Sequence, residues 1–105
     1  MPTLNPIRAR ALRAATPMNR IMMDALVNAM EEACRLANEG HTIIGLDITL
    51  GRPTIQLAAT PRLSAMAETG AAAYYSFGVG RDGRRRRGGQ LHNRGCDVKW
   101  YEEEA

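Results

Sequence analysis

The sequence predicts an α+β fold in which one long amphipathic helix packs on a four-stranded antiparallel sheet, as a two-layer sandwich. Apolar residues recur every three or four positions through residues 17–39, and they alternate with polar residues through residues 44–59. The alternation returns in two later segments, residues 75–79 and 96–100. One helix and four strands, each apolar on one side, bury those sides most simply as two layers.

The length of 105 residues favours one domain with a single core. Residues 1–15 contain Pro2 and Pro6 and alternate arginine with alanine, which predicts a basic arm whose order depends on a partner. The domain itself is expected to span residues 16–105.

The helix is predicted to begin at Thr16-Pro17 and to end at Gly40. A threonine oxygen caps a free amide, proline tolerates the first helical position, and glycine adopts the left-handed conformation that follows a last turn. The strip predicted to cover the core consists of Met23, Leu26, Val27, Met30, Ala33, Cys34 and Ala37. A second apolar strip beside it consists of Met18, Met22, Ala25 and Ala29. It packs either under the arm or against a second subunit, and the few bulky residues of the arm favour a homodimer.

A β-hairpin is predicted from the alternation of apolar residues on either side of "GRPT", residues 51–54. With these four residues as the loop, residue 50 pairs with 55, residue 48 with 57 and residue 46 with 59. All the apolar partners then share one face, so pattern and turn agree on this register.

The most unusual stretch is "GRDGRRRRGGQLHNRG", residues 80–95, which we expect to be a long hairpin loop between the last two strands. Six arginines and Asp82 give residues 81–94 a net charge of +5, whereas Lys99 and four acids give residues 95–105 a net charge of −3. Five guanidinium groups within residues 81–87 repel one another, and phosphates would relieve that repulsion with release of counterions.

This loop predicts nucleic-acid binding with little sequence specificity, through phosphate contacts and two tyrosines on the sheet face opposite the core. The residues assigned to this site are Arg81, Arg84, Arg85, Arg86, Arg87, Arg94, Lys99, Tyr74 and Tyr101. Two alternatives stay open: an inert loop neutralised by the acids of the chain, and an acidic surface on a protein partner.

Catalytic, metal and cofactor sites are not expected. The stretch "GVGRDG", residues 78–83, matches a dinucleotide fingerprint, but paired glycines follow it where a helix would have to begin. Among Cys34, His41, His92 and Cys96, the His92–Cys96 interval is tolerable for zinc, but the Cys34–His41 interval is too wide and Cys34 is expected on the core face of the helix. We therefore expect a binding protein and no enzyme.

The chain has no segment of about 18 consecutive apolar residues and no apolar run after its N-terminal charges. Two cysteines are too few for a disulfide framework. These features predict a cytoplasmic protein that binds no membrane.

The stretch "GLDITLGRPTIQLAA", the basic loop and the closing "GCDVKWYE" together resemble the small accessory proteins of temperate phages and other mobile elements. The resemblance covers residues 40–102 and rests on overall pattern. It implies action by binding, either to nucleic acid or to a host complex that handles it, as inhibitors of CRISPR surveillance complexes do. An inhibitor or adaptor that docks on such a complex is therefore the second functional hypothesis.

Overall fold

The computed structural model describes residues 16–103, so the predicted arm at residues 1–15 lies outside the described residues. The described elements follow in the order α1 (Pro17–Asn38), β1 (Ile43–Thr49), β2 (Arg52–Leu57), α2 (Pro61–Glu68), β3 (Ala73–Val79), β4 (Arg85–Asn93) and β5 (Cys96–Glu103).

The predicted α+β class is confirmed, but the predicted four-stranded antiparallel sheet is wrong. The sheet is mixed and has five strands in the order β1-β2-β5-β4-β3. Strand β5 lies in the middle, parallel to β2 and antiparallel to β4. The additional strand is β4, which the sequence analysis interpreted as part of the arginine-rich loop.

Both helices begin at a Thr-Pro pair. The Thr16 side chain accepts a hydrogen bond from the Asn19 amide at 3.2 Å, and Thr60 accepts one from Leu63 at 3.3 Å, which confirms the predicted cap of α1. Helix α1 also stops where predicted, because Gly40 adopts a φ of 92°. Helix α2 lies within residues 60–70, for which the sequence pattern allows either a linker or a short helical turn.

The β1–β2 hairpin exists, but the predicted register is wrong by four residues. Leu50 and Gly51 form the turn, with φ values of 50° and 82°, and Leu46 pairs with Ile55. Two consecutive residues at positive φ make the tight turn that matches the twist of the strands. A shift of four preserves the alternation, so the apolar partners share a face in either register.

The two strips of α1 divide differently from the prediction: Ala33 of the predicted core strip does pack against the core, and Met18 of the second strip is exposed. Ala25 and Ala29, assigned to a dimer interface with Met18 and Met22, are buried against the chain's own sheet. Leu26 and Met30 of the predicted core strip are exposed instead. The small alanines let the helix approach the sheet closely, which the bulkier strip would prevent.

The core lies between the helices and one face of the sheet. It contains Trp100, the largest fully buried side chain, together with Leu36, Ile55, Leu57, Leu63, Cys96 and Val98. The predicted alternation of Cys96, Val98 and Trp100 is confirmed, because all three are buried. No helix among residues 16–103 covers the opposite face, here called the open face.

Candidate functional site

The arginine-rich segment is mostly strand, so the predicted loop over residues 80–95 is wrong for residues 85–93. The turn between β3 and β4 is short: the Gly80 amide donates to the Arg84 carbonyl at 2.8 Å, and the Asp82 carboxylate accepts from the Arg84 amide at 3.1 Å. The GxGxxG match therefore belongs to a hairpin turn. No helix begins there, as a dinucleotide site would require.

Glycines in β4 make room for aromatic rings. A Cβ atom on Gly89 would lie 2.2 Å from the Trp100 ring, and one on Gly88 would lie 2.8 Å from the Tyr75 ring on the other face. The glycine pair, which the sequence analysis used only as evidence against a helix, is therefore the surface on which two rings pack. These rings supply the apolar contacts that the side chains of β4 do not provide at these two positions.

Pairing with β5 places arginines directly opposite glutamates. Arg86 faces Glu103 at an Nη2–Oε1 distance of 2.9 Å, and Arg87 faces Glu102 at an Nη2–Oε1 distance of 3.2 Å. The predicted cluster of unpaired guanidinium groups is wrong for these residues, because the cross-strand register brings the acids of β5 against them. The acidic segment is the complement of the basic one.

The other predicted arginines divide into two groups. Arg84 lies 3.7 Å from a Glu103 oxygen, and Arg94 lies 3.3 Å from a Glu31 oxygen on α1, far along the chain. Within residues 16–103, Arg81 and Arg85 have no acidic partner. Both side chains are exposed.

Glu102 connects the paired ends of β4 and β5 to the core, a role that the sequence did not predict. Its carboxylate accepts hydrogen bonds from Trp100 Nε1 at 2.8 Å, Ser64 Oγ at 2.8 Å and Tyr74 Oη at 3.0 Å, in addition to the Arg87 pair. Burial acts to raise the pKa of Glu102, but these hydrogen bonds together lower it below its ordinary value. The alternation of Cys96, Val98 and Trp100 places residue 102 on the same inward face, and this signal could have found it.

Tyr74 lies on the helix side of the sheet, which corrects its predicted position on the open face. It pairs with Gly89, over which Trp100 packs, and the Arg87 guanidinium lies 4.2 Å from its ring centroid. The Phe77 ring lies 6.2 Å from the Tyr74 ring and is 73% exposed. Arg87, Tyr74 and Phe77 thus form a row that ends in solvent, with Glu102 holding its inner end.

Tyr101 lies on the open face, as predicted, with its ring edge toward Tyr75 at a centroid distance of 6.4 Å. Lys99 lies 5.0 Å above the Tyr75 ring. Burial raises the pKa of Tyr75 to about 12, with a contribution from Tyr101. Beside Tyr101, Gly78 and Gly88 leave an open depression of about 520 Å³.

The polar cluster at the other end of the open face consists of Arg52, Asp97 and His92. Arg52 donates to both Asp97 oxygens, at 2.8 and 3.0 Å, and His92 Nδ1 also contacts that carboxylate. The bidentate bond from Arg52 lowers the pKa of Asp97. The geometry of this cluster is that of a salt bridge.

Metal ligands do not converge in the part of the chain that the structure describes: no group of three His, Cys, Asp or Glu side chains there is placed to hold an ion. Cys34 is exposed on α1, contrary to its predicted position on the core face, and Cys96 is buried. Burial raises the pKa of the Cys96 thiol.

None of the helices within residues 16–103 is long and apolar enough to cross a membrane. Comparison with known proteins finds no matching family model, no similar curated protein and no similar solved structure. The functional assignment therefore depends on the geometry of the end of the sheet formed by residues 77–87 and 101–103. We call this end the arginine ribbon.

Proposed function

We propose that the protein is a non-enzymatic binding protein whose arginine ribbon contacts single-stranded nucleic acid. The observation that carries this proposal is that one hairpin exposes both guanidinium groups and an aromatic ring. Arg81 and Arg85 have no acidic partner within residues 16–103, and Phe77 lies exposed on the strand next to Arg85. Guanidinium groups bind phosphate, and an exposed ring stacks with a base.

The proposal differs from the sequence expectation in the number of phosphate contacts. The ribbon carries Arg81 and Arg84–Arg87 against Asp82, Glu102 and Glu103, so its net charge is five minus three, or +2. An arginine that is already paired with a carboxylate adds little net positive charge near a phosphate, so its contact releases few counterions from the nucleic acid. With two free arginines, log K should fall with log salt at a slope of about −1.4, taking about −0.7 per phosphate on a single strand.

Single strands are favoured over duplexes because the arginine ribbon exposes an aromatic ring. Phe77 continues the row of Arg87 and Tyr74, and the hydrogen bonds that Arg87 and Tyr74 donate to Glu102 hold these two side chains in place before any ligand arrives. A base stacks on such a ring only when it is unpaired, and stacking shows little preference among bases. Weak sequence specificity follows from this arrangement.

The test is fluorescence anisotropy with a short labelled oligonucleotide over a range of salt concentrations. Arg85→Gln is expected to weaken binding and to reduce the salt slope by about 0.7, whereas Phe77→Ala weakens binding and leaves the slope unchanged. The matched control is Arg20→Gln, which removes the same charge from the exposed start of α1. Equal losses of oligonucleotide affinity in Arg85→Gln and Arg20→Gln would show that only the net charge of the protein matters and would overturn the assignment of the site to the ribbon.

The second candidate function is that of a phage-type inhibitor or adaptor that docks on a host protein complex. Phe77 and Val79 are both exposed on β3, and most arginines of the ribbon are neutralised internally, which suits a protein surface better than a long polyanion. A pull-down with and without nuclease separates the two. Host protein retained after nuclease treatment, together with no oligonucleotide binding at low salt, would favour docking.

A further inference from the structure

A depression of about 520 Å³ lies on the open face of the arginine ribbon. Its lining includes two neighbouring rows of residues across β3, β4 and β5: Ser76, Gly88 and Tyr101 in the first row, and Gly78, Arg86 and Glu103 in the second. Phe77 alternates with Ser76 and Gly78 along β3 and points to the helix side, so the proposed stacking on Phe77 does not use the depression. Its volume falls within the range of small-ligand sites, about 300–1,000 Å³.

Two glycines of the stretch "GVGRDG" shape this depression. A Cβ atom on Gly78 would have nothing within 4 Å, so the space above this residue is open. A Cβ atom on Gly80 would lie 3.0 Å from Arg86 Cζ, so the missing side chain gives the Arg86 guanidinium room beside the β3–β4 turn. The glycine spacing that matches a dinucleotide fingerprint therefore leaves a depression next to an arginine.

Arg86 and Glu103 present a donor and an acceptor side by side at the depression. Arg86 Nη2 donates to Glu103 Oε1 at 2.9 Å, and the two side chains are 46% and 45% exposed. This bond uses only part of the donor capacity of the guanidinium and of the acceptor capacity of the carboxylate. The second oxygen, Glu103 Oε2, lies 3.7 Å from Arg84 Nη1, which is too far for a hydrogen bond. Both groups can therefore bind a ligand without giving up their own pair.

Tyr101 gives the depression an aromatic wall. Its side chain is 50% exposed, and its contact with the Tyr75 ring, at a centroid distance of 6.4 Å, restricts its position. Tyr101 and Glu103 are two residues apart in β5, which is about 7 Å along a strand. A planar ring that packs against Tyr101 can therefore direct its polar edge to the row of Arg86 and Glu103. This combination of ring contact and polar edge is how proteins hold an unpaired nucleobase.

The polar edges of the bases distinguish which of them fits a carboxylate beside a guanidinium. Guanine presents two adjacent donors, N1–H and the N2 amino group, which match the two oxygens of a carboxylate, and its O6 acceptor lies next to them. Adenine and cytosine present one donor group on this edge. In thymine and uracil a single donor lies between two acceptors, which a carboxylate repels. Guanine is therefore the base that satisfies both Arg86 and Glu103.

We propose that this depression binds one guanine base of a single strand, with Tyr101, Arg86 and Glu103 as its contacts. Glu103 accepts hydrogen bonds from N1–H and the N2 amino group, Arg86 donates to O6, and Tyr101 packs against the ring. This inference rests on the proposed function and adds a preference for guanine at one nucleotide. Stacking on Phe77 stays tolerant of the base at its own position.

The first test titrates the full chain with guanosine monophosphate and, separately, with adenosine monophosphate, and follows the backbone amide NMR signals. Guanosine monophosphate should shift the signals of Gly78 and Tyr101 and bind about fivefold or more tightly than the adenine nucleotide, the lower end of what one bidentate base contact contributes. Both nucleotides carry the same phosphate, so the comparison isolates the base. Equal shifts from the two nucleotides, or no shift from either, would overturn the guanine site.

The second test is anisotropy with a labelled oligothymidine that carries one central guanine, adenine or inosine. The guanine strand should bind more tightly than the adenine strand, and inosine, which lacks the N2 amino group, should lose much of that preference. Glu103→Gln should abolish the preference, even though the release of Arg84 and Arg86 raises the affinity for every strand. Glu31→Gln, which removes the same charge from an exposed position on α1, is the control and should keep it.

A variant that fills the depression gives the sharpest result. Gly78→Val places its side chain where nothing lies within 4 Å, so the fold should persist, which circular dichroism checks. It should remove the preference for guanine and leave the affinity for oligothymidine unchanged; a preference that survives would contradict the site. Oligonucleotide binding without any preference for guanine would refute the guanine site alone. If no oligonucleotide binds, the proposed function fails, and the nucleotide titration decides the guanine site by itself.

Discussion

Glu102 and Glu103 are neighbours in β5, and each faces an arginine of β4, yet their surroundings differ. Glu102 points to the helix side, where its side chain is 12% exposed and binds the core residue Trp100. Glu103 points to the open face, where its side chain is 45% exposed and binds Arg86. The same ion-pair chemistry therefore holds the ribbon to the core on one face and only shields charge on the other.

The strongest way to break the inner face is to fill the space that the Trp100 ring occupies. Gly89→Ala should destabilise the fold by about 1–3 kcal/mol, because the new methyl group would overlap the ring. Urea unfolding measures the loss. Gly78→Ala in β3 is the control, since nothing lies within 4 Å of the added atom. Equal stability of the two variants would contradict the packing of Trp100 on Gly89.

Removing the Glu102 carboxylate should cost nearly as much. Glu102→Ala leaves the buried Trp100 indole N–H without its acceptor, a loss of about 1–3 kcal/mol in unfolding free energy. Glu102→Gln keeps an acceptor and should lose less. Chemical denaturation followed by Trp100 fluorescence reports both variants. A Gln variant less stable than the Ala variant would show that the carboxylate does not act as an acceptor here.

Acid should weaken the same contact. The pKa of Glu102 is lower in the folded chain than its ordinary value of 4.5, so the unfolded chain takes up the proton first as pH falls. The stability from this group is complete above the ordinary value and is lost as pH falls through the lower, folded value. Unfolding free energies measured between neutral and acidic pH should therefore decline less steeply in Glu102→Gln. Parallel profiles for the two proteins would contradict the lowered pKa.

The smallest change in stability and a gain in binding are expected at Glu103. Glu103→Gln should change the unfolding free energy by no more than about 0.5 kcal/mol, because the pair is exposed. It also releases Arg84 and Arg86, so oligonucleotide affinity should rise and the salt slope should steepen. Anisotropy titrations compare it with the wild type. Unchanged affinity would indicate that the open face takes no part in binding.

Helix α1 and the inward face of β5 could be predicted because the signals are local. Thr16-Pro17, Gly40 and the alternation up to Trp100 each depend on a few neighbouring residues. The inward position of Glu102 follows from the same alternation, but three consecutive acids at residues 102–104 are typical of a solvated tail, so this residue was not assigned to the core. Strand β4 was missed because glycine has low strand propensity and the run of arginines shows no apolar alternation, whereas the Tyr75 and Trp100 rings of neighbouring strands pack on its two glycines.

By itself the sequence determined the class of fold, the caps of α1 and the side of β5 that is buried. Helix capping and the alternation of apolar residues depend only on neighbours a few positions away in the chain. Tertiary structure decided which strip of α1 meets the sheet, because both strips are apolar and only close packing on Ala25 and Ala29 distinguishes them. It also decided which arginines are free. Charge neutralisation depends on which strands become neighbours, and the antiparallel pairing of β4 with β5 brings Glu102 and Glu103 to Arg87 and Arg86.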